Sequence, residues 1–78
     1  PNPFNPTTLI KFTIKQSGKV TLKVFDVLGR EVAELLNTYH GAGSYEIPFD
    51  GSNLPSGVYF YNLTANGKSL TKKMMLLK

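Results

Sequence analysis

Asn66-Gly67 lies between two runs of alternating apolar and polar residues, Val58–Ala65 and Lys68–Leu77. Asn-Gly tolerates the two consecutive positive φ angles of a type I′ turn, whose twist matches that of paired strands. A two-residue turn also fixes register. Ala65 must face Lys68, Leu63 must face Leu70, Tyr61 must face Lys72 and Tyr59 must face Met74. Successive side chains on a strand point to opposite faces. Tyr59, Tyr61, Leu63, Leu70, Met74 and Leu76 therefore share one face, which we expect to be the core face. The other face carries Val58, Phe60, Met75 and Leu77 toward the open end of the hairpin. Near the turn it carries Asn62, Thr64, Ser69 and Thr71, and there it should be wet.

The same two-residue period recurs upstream. Over Thr8–Lys15, Ile10, Phe12 and Ile14 fall on one face, with Lys11 and Thr13 on the other. After a Gln-Ser-Gly-Lys turn, Val20, Leu22 and Val24 alternate with Thr21 and Lys23 over Val20–Asp26. Val27-Leu28-Gly29-Arg30 reads as the next turn. In Glu31–Leu36 the apolar residues Val32, Leu35 and Leu36 have helical spacing. So short a run does not hold a helix by itself, and between two glycine turns it reads as a strand. His40–Ser44 reads as a loop. Tyr45, Ile47 and Phe49 then alternate with Glu46 and Pro48. Pro48 has no amide to donate to a ladder, so this strand should be an edge or be bulged there. Pro1–Pro6 holds three prolines, and residues 1–7 read as a linker or entry strand rather than a helix. Short alternating strands between glycine turns predict an all-β domain over residues 1–78. The expected fold is a small antiparallel immunoglobulin-like β-sandwich of about six to seven strands.

No Cys is present, so disulfides and thiolate metal sites are excluded. No run approaches the roughly 18 apolar residues that span a membrane as a helix, and direct insertion is not expected. The chain opens on Pro1 without Met and reads as a piece of a longer protein. Its net charge of +4 comes from lysines spread over several segments. Nucleic-acid binding calls for clustered Arg and Lys with stacking aromatics, whereas scattered lysines are ordinary protection for solvent faces and strand edges. His40 is the single histidine and reads as a solvated loop residue, so no metal set or cofactor site is expected. Of the carboxylates Asp26, Glu31, Glu34, Glu46 and Asp50, none forms a close pair. Asp26 and Asp50 each precede a turn, where an Asp side chain caps backbone amides. No serine has a base at a suggestive spacing, and Asn62-Leu63-Thr64 matches a glycosylation sequon of a length expected by chance. The residues hold no catalytic set, and no enzyme is expected.

Four ordered blocks carry a resemblance: PNPFNPTT, VTLKVFDVLGREV, GAGSYEIPFDGSNLPSGVYFYNL and the closing KKMMLLK. Together they resemble the type A, Por-type C-terminal sorting domain of the type IX secretion system, over essentially the whole chain. The resemblance implies an immunoglobulin-like sandwich at the C-terminus of a cargo protein of Bacteroidetes-type bacteria. It implies passage through the periplasm and then through an outer-membrane translocon, ending at the cell surface or outside the cell. In the family a sortase commonly removes the domain near its N-terminal boundary, here near or before Pro1. The implied partners are the translocon, the sortase and the cargo on the same chain.

Carried over residue by residue, the family's Gly-Arg turn falls on Gly29 and Arg30. Its Pro/Ser-Gly-x-Tyr block falls on Pro55, Ser56, Gly57 and Tyr59. Its terminal basic-apolar strand falls on Lys72, Lys73, Met74, Met75, Leu76, Leu77 and Lys78. Turn geometry or core packing would equally account for Gly29, Gly57 and Tyr59. Arg30 and the terminal lysines are the stronger receptor contacts, since burial does not explain them. Two other readings stand beside this one. A structural module similar to that of flagellar hook-capping proteins shares related blocks but has a longer insertion where only Ser52–Pro55 stands here. A carbohydrate-binding module would need aromatics such as Tyr39, Tyr45, Tyr59, Phe60 and Tyr61 exposed in one plane.

Overall fold

The computed structural model describes residues 7–77. Residues 1–6 and Lys78, which include most of the expected entry segment and the last expected contact residue, lie outside the described residues. The strands are β1 Thr7–Ile14, β2 Gly18–Phe25, β3 Glu31–His40, β4 Gly43–Asp50, β5 Gly57–Ala65 and β6 Lys68–Leu76. They form a two-stranded sheet, β1-β4, and a four-stranded sheet, β3-β2-β5-β6. Every pairing is antiparallel. The all-β sandwich expected from the sequence is therefore present, with six strands among the described residues.

The β5–β6 hairpin has the register that Asn66-Gly67 dictates, from Ala65↔Lys68 to Tyr59↔Met74. Asn66 and Gly67 have φ of 54° and 75°, the two left-handed positions of the turn. Asn66 has a second role: its Nδ2 donates to Gln16 O at 2.8 Å. Its Oδ1 lies where a Cβ on Gly18 would come within 2.7 Å, so glycine at position 18 admits this clamp. The hairpin tip is thereby tied to the β1–β2 connection.

Ile10, Leu22, Val24, Phe49, Tyr59 and Leu76 form the buried cluster between the sheets. Full burial of such side chains stabilises by about 1.5–3 kcal/mol each. Leu70 has the parity of a core residue, yet it is 49% exposed. The two-stranded sheet is narrower than its partner, and the first half of β6 extends beyond its cover. Pro48 lies on β4, which among the described residues pairs only with β1, so the missing amide falls on an edge strand as expected.

β3 departs most from the sequence reading. It runs four residues beyond Leu36, so the expected loop shrinks to Gly41 and Ala42. His40 accordingly ends a strand and is not a solvated loop residue. Its ring meets Tyr45 edge-on at 5.1 Å, and Nδ1 lies 3.3 Å from Thr38 O. The helical spacing of Val32, Leu35 and Leu36 also gains a cause. The β2–β3 register shifts between Leu22 and Lys23 and again between Val24 and Phe25, skipping Leu35 and Val32. A bulge places neighbouring residues on the same side of a strand. Val32 with Ala33, and Leu35 with Leu36, all pack on the core.

Candidate functional site

The β2–β3 turn, the 51–56 connection and the last rungs of the β5–β6 hairpin meet at one end of the sandwich. Asp26 closes the turn. Its Oδ1 accepts the amides of Leu28 at 2.9 Å and Arg30 at 3.0 Å, and its Oδ2 accepts Arg30 Nε at 2.7 Å. The Arg30 amide above all, with the Arg30 guanidinium and the Leu28 amide, holds the Asp26 carboxyl below the ordinary carboxylate range against partial desolvation. Gly29 supplies φ of 82°, which a side chain would strain. Val27 and Leu28 are consequently held out at the turn's tip, 67% and 74% exposed. Arg30 thus has an internal partner while its side chain stays 72% accessible.

Facing this turn is the block Pro55–Tyr59. Tyr59 is buried, and its hydroxyl donates to Pro55 O at 2.7 Å. The bond is a tyrosine corner in form: a strand-entry Tyr holding the backbone just upstream. Upstream, Asp50 Oδ1 accepts the Ser52 amide at 2.9 Å and the Leu54 amide donates to Gly51 O at 2.9 Å. Between the two blocks lies an open cleft of about 490 Å³, with Asp26, Arg30, Val32, Leu54, Gly57 and Tyr59 in its wall.

β6 ends beside this cleft. Gly57 pairs with Leu76 and Val58 with Met75. Leu76 is 2% exposed, and it rests on the bare backbone of Gly51, where an added Cβ would stand 2.5 Å from its Cδ1. Met74 is half-buried over Tyr59, whereas Met75 and Leu77 are exposed. Lys72 and Lys73 stand opposite Tyr61 and Phe60, Lys72 on the core side and Lys73 on the outer side, both exposed. The fold therefore gathers Gly29, Arg30, Gly57, Tyr59 and Met74–Leu77 at one end, with Lys72 and Lys73 on the adjoining rungs. Thr7 is at this end too, since it pairs with Asp50 next to Gly51.

A family profile described as a secretion system C-terminal sorting domain matches residues 1–77. The chain belongs to this family. It is a type IX secretion C-terminal sorting domain, the signal that marks cargo for the cell surface or the extracellular space. Neither a curated protein nor a solved structure matches the chain.

The sorting domain's motif residues divide by what surrounds them. Tyr59 and Leu76 are buried. Arg30, Lys72, Lys73, Met75 and Leu77 are exposed. Two residues, Gly51 and Leu54, and the partnership of Asp26 with Arg30 were not singled out for this end by sequence spacing. The Asp-x-x-Gly-Arg spacing carried a signal for the last, since an Asp before a turn commonly accepts amides further on. The aromatics do not share a plane. Tyr45 stacks on Phe12 at 5.6 Å, Tyr59 is buried, and Phe60 lies on the face opposite Tyr61. Among the described residues no group of three or more His, Cys, Asp or Glu could hold a metal ion.

Proposed function

We propose that the domain works by recognition rather than catalysis, the folded sandwich offering one end to the outer-membrane translocon. The contacts are Arg30 and the apolar tip Val27-Leu28 on the turn, with Lys72, Lys73, Met75 and Leu77 on the closing strand. Gly29, Gly57, Tyr59, Met74 and Leu76 hold that surface in shape. A sortase then removes the domain near its N-terminal boundary. The observation that carries this reading is the convergence of both turn blocks on one cleft, with the end of β6 paired to Gly57 and Val58 of its wall. The sortase step draws support from Thr7, which enters at the same end. Deleting Lys72–Lys78 from the full-length protein should strand the cargo in the periplasm. Normal surface delivery after the deletion would overturn the assignment of this strand.

A further inference from the structure

The four-stranded sheet has two outer edges, and they differ. β3 is bulged twice, a device that stops further strands from adding. β6 pairs with β5 over nine consecutive residues with no register shift, so its free side is regular. The type I′ turn makes Ala65 and Lys68 a hydrogen-bonded pair, and such pairs alternate along an antiparallel ladder. Lys68, Leu70, Lys72, Met74 and Leu76 thus turn their backbone groups toward β5. Ser69, Thr71, Lys73 and Met75 turn theirs outward, where no strand among the described residues meets them.

Charge is the protection this edge does have. Lys68, Lys72 and Lys73 all lie on β6, which contains no acidic residue. Lys11, Lys23 and Arg30 have carboxylate partners within the fold, whereas the β6 lysines have none among the described residues. Pairing with a second copy would set six lysines along two adjacent strands. An acidic strand would neutralise the same charge, and opposite charges across strands favour pairing.

We propose that β6 is a docking edge for an extended acidic segment of a partner protein, which adds to the four-stranded sheet as a fifth strand. The proposal rests on the sorting reading and names the partner's chemistry. Main-chain bonds from Ser69, Thr71, Lys73 and Met75 give affinity, and the lysines give selectivity.

The test is amide exchange on the 78-residue chain with a peptide alternating Glu with Val and Thr, against its Lys counterpart. Excess acidic peptide should slow exchange of the Ser69, Thr71, Lys73 and Met75 amides at least tenfold, and the Lys peptide should not. Thr71→Pro should abolish the protection, because it removes an outward amide and no main-chain bond to β5; the side-chain bond that Thr71 Oγ1 accepts from Asn62 Nδ2 at 2.9 Å is lost equally in Thr71→Ala. Thr71→Ala should keep it. Absent protection, equal protection by both peptides, or protection that grows with protein concentration alone would each overturn the proposal. In cells, Thr71→Pro in the full-length protein should cut delivery at least tenfold and Thr71→Ala should not. If deleting Lys72–Lys78 blocks delivery while a folded Thr71→Pro variant is delivered, strand addition fails and the sorting reading stands. If the deletion itself is delivered, the sorting reading fails.

Discussion

Leu76 and Leu77 are neighbours with opposite assignments, which makes their alanine variants a sharp test of where the core ends. Leu76 is 2% exposed and Leu77 59% exposed. Leu76→Ala removes three buried carbons, worth about 0.8 kcal/mol each by transfer alone. Enclosed leucines cost about 3–5 kcal/mol because a cavity remains. Leu76 ends an edge strand and its surroundings can partly close, so we expect about 2–3 kcal/mol. A 78-residue domain has roughly 4–12 kcal/mol in all, so the loss is a large fraction. With a urea dependence near 1 kcal/mol per molar, the unfolding midpoint should fall by about 2–3 M. Leu77→Ala should stay within about 0.5 kcal/mol. Equal shifts, or a Leu76→Ala shift below about 0.5 M, would show that the strand's end is not seated on Gly51 in solution.

Gly51→Ala should destabilise by about 1–3 kcal/mol, since its Cβ meets Leu76; Gly41→Ala, with open space around it, is the control in the same urea titration. Tyr59→Phe should cost about 0.5–1.5 kcal/mol for the lost bond to Pro55 and speed amide exchange in the 51–56 connection. The lowered pKa of Asp26 means its carboxylate supports the turn at pH above the ordinary carboxylate value. That support is lost as pH falls through the folded-state pKa. The Leu28 and Arg30 amides should shift together below about pH 4, and Asp26→Asn should remove that transition in an NMR titration.

Much of the fold was legible because local rules chose it. Asn66-Gly67 set the β5–β6 register, and period-two alternation set the faces of Ile10, Leu22, Val24 and Phe49. Pro48 marked an edge. β3 was less legible, because bulges at Val32 and Leu35 mimic helical spacing and depend on the partner strand. The exposure of Leu70 follows from the width of the opposite sheet, which no local pattern records. The site was legible only as separate blocks. That Arg30 and Pro55–Tyr59 line one cleft, with the end of β6 paired to its Gly57–Val58 wall, depends on strand order. The seat of Leu76 on Gly51 and the Asn66 clamp on Gln16 join residues far apart in sequence.

Deletion of the closing strand removes core and surface together, so a charge reversal separates them. Lys72→Glu with Lys73→Glu, in the full-length cargo protein, alters exposed side chains with no ion-pair partner among the described residues. The measurement is the fraction of cargo at the cell surface, beside the thermal transition of the 78-residue chain carrying the same changes. We expect the domain's stability to change by no more than about 0.5 kcal/mol and the cargo to be retained in the periplasm. Cargo delivered normally by a folded, charge-reversed domain would contradict it.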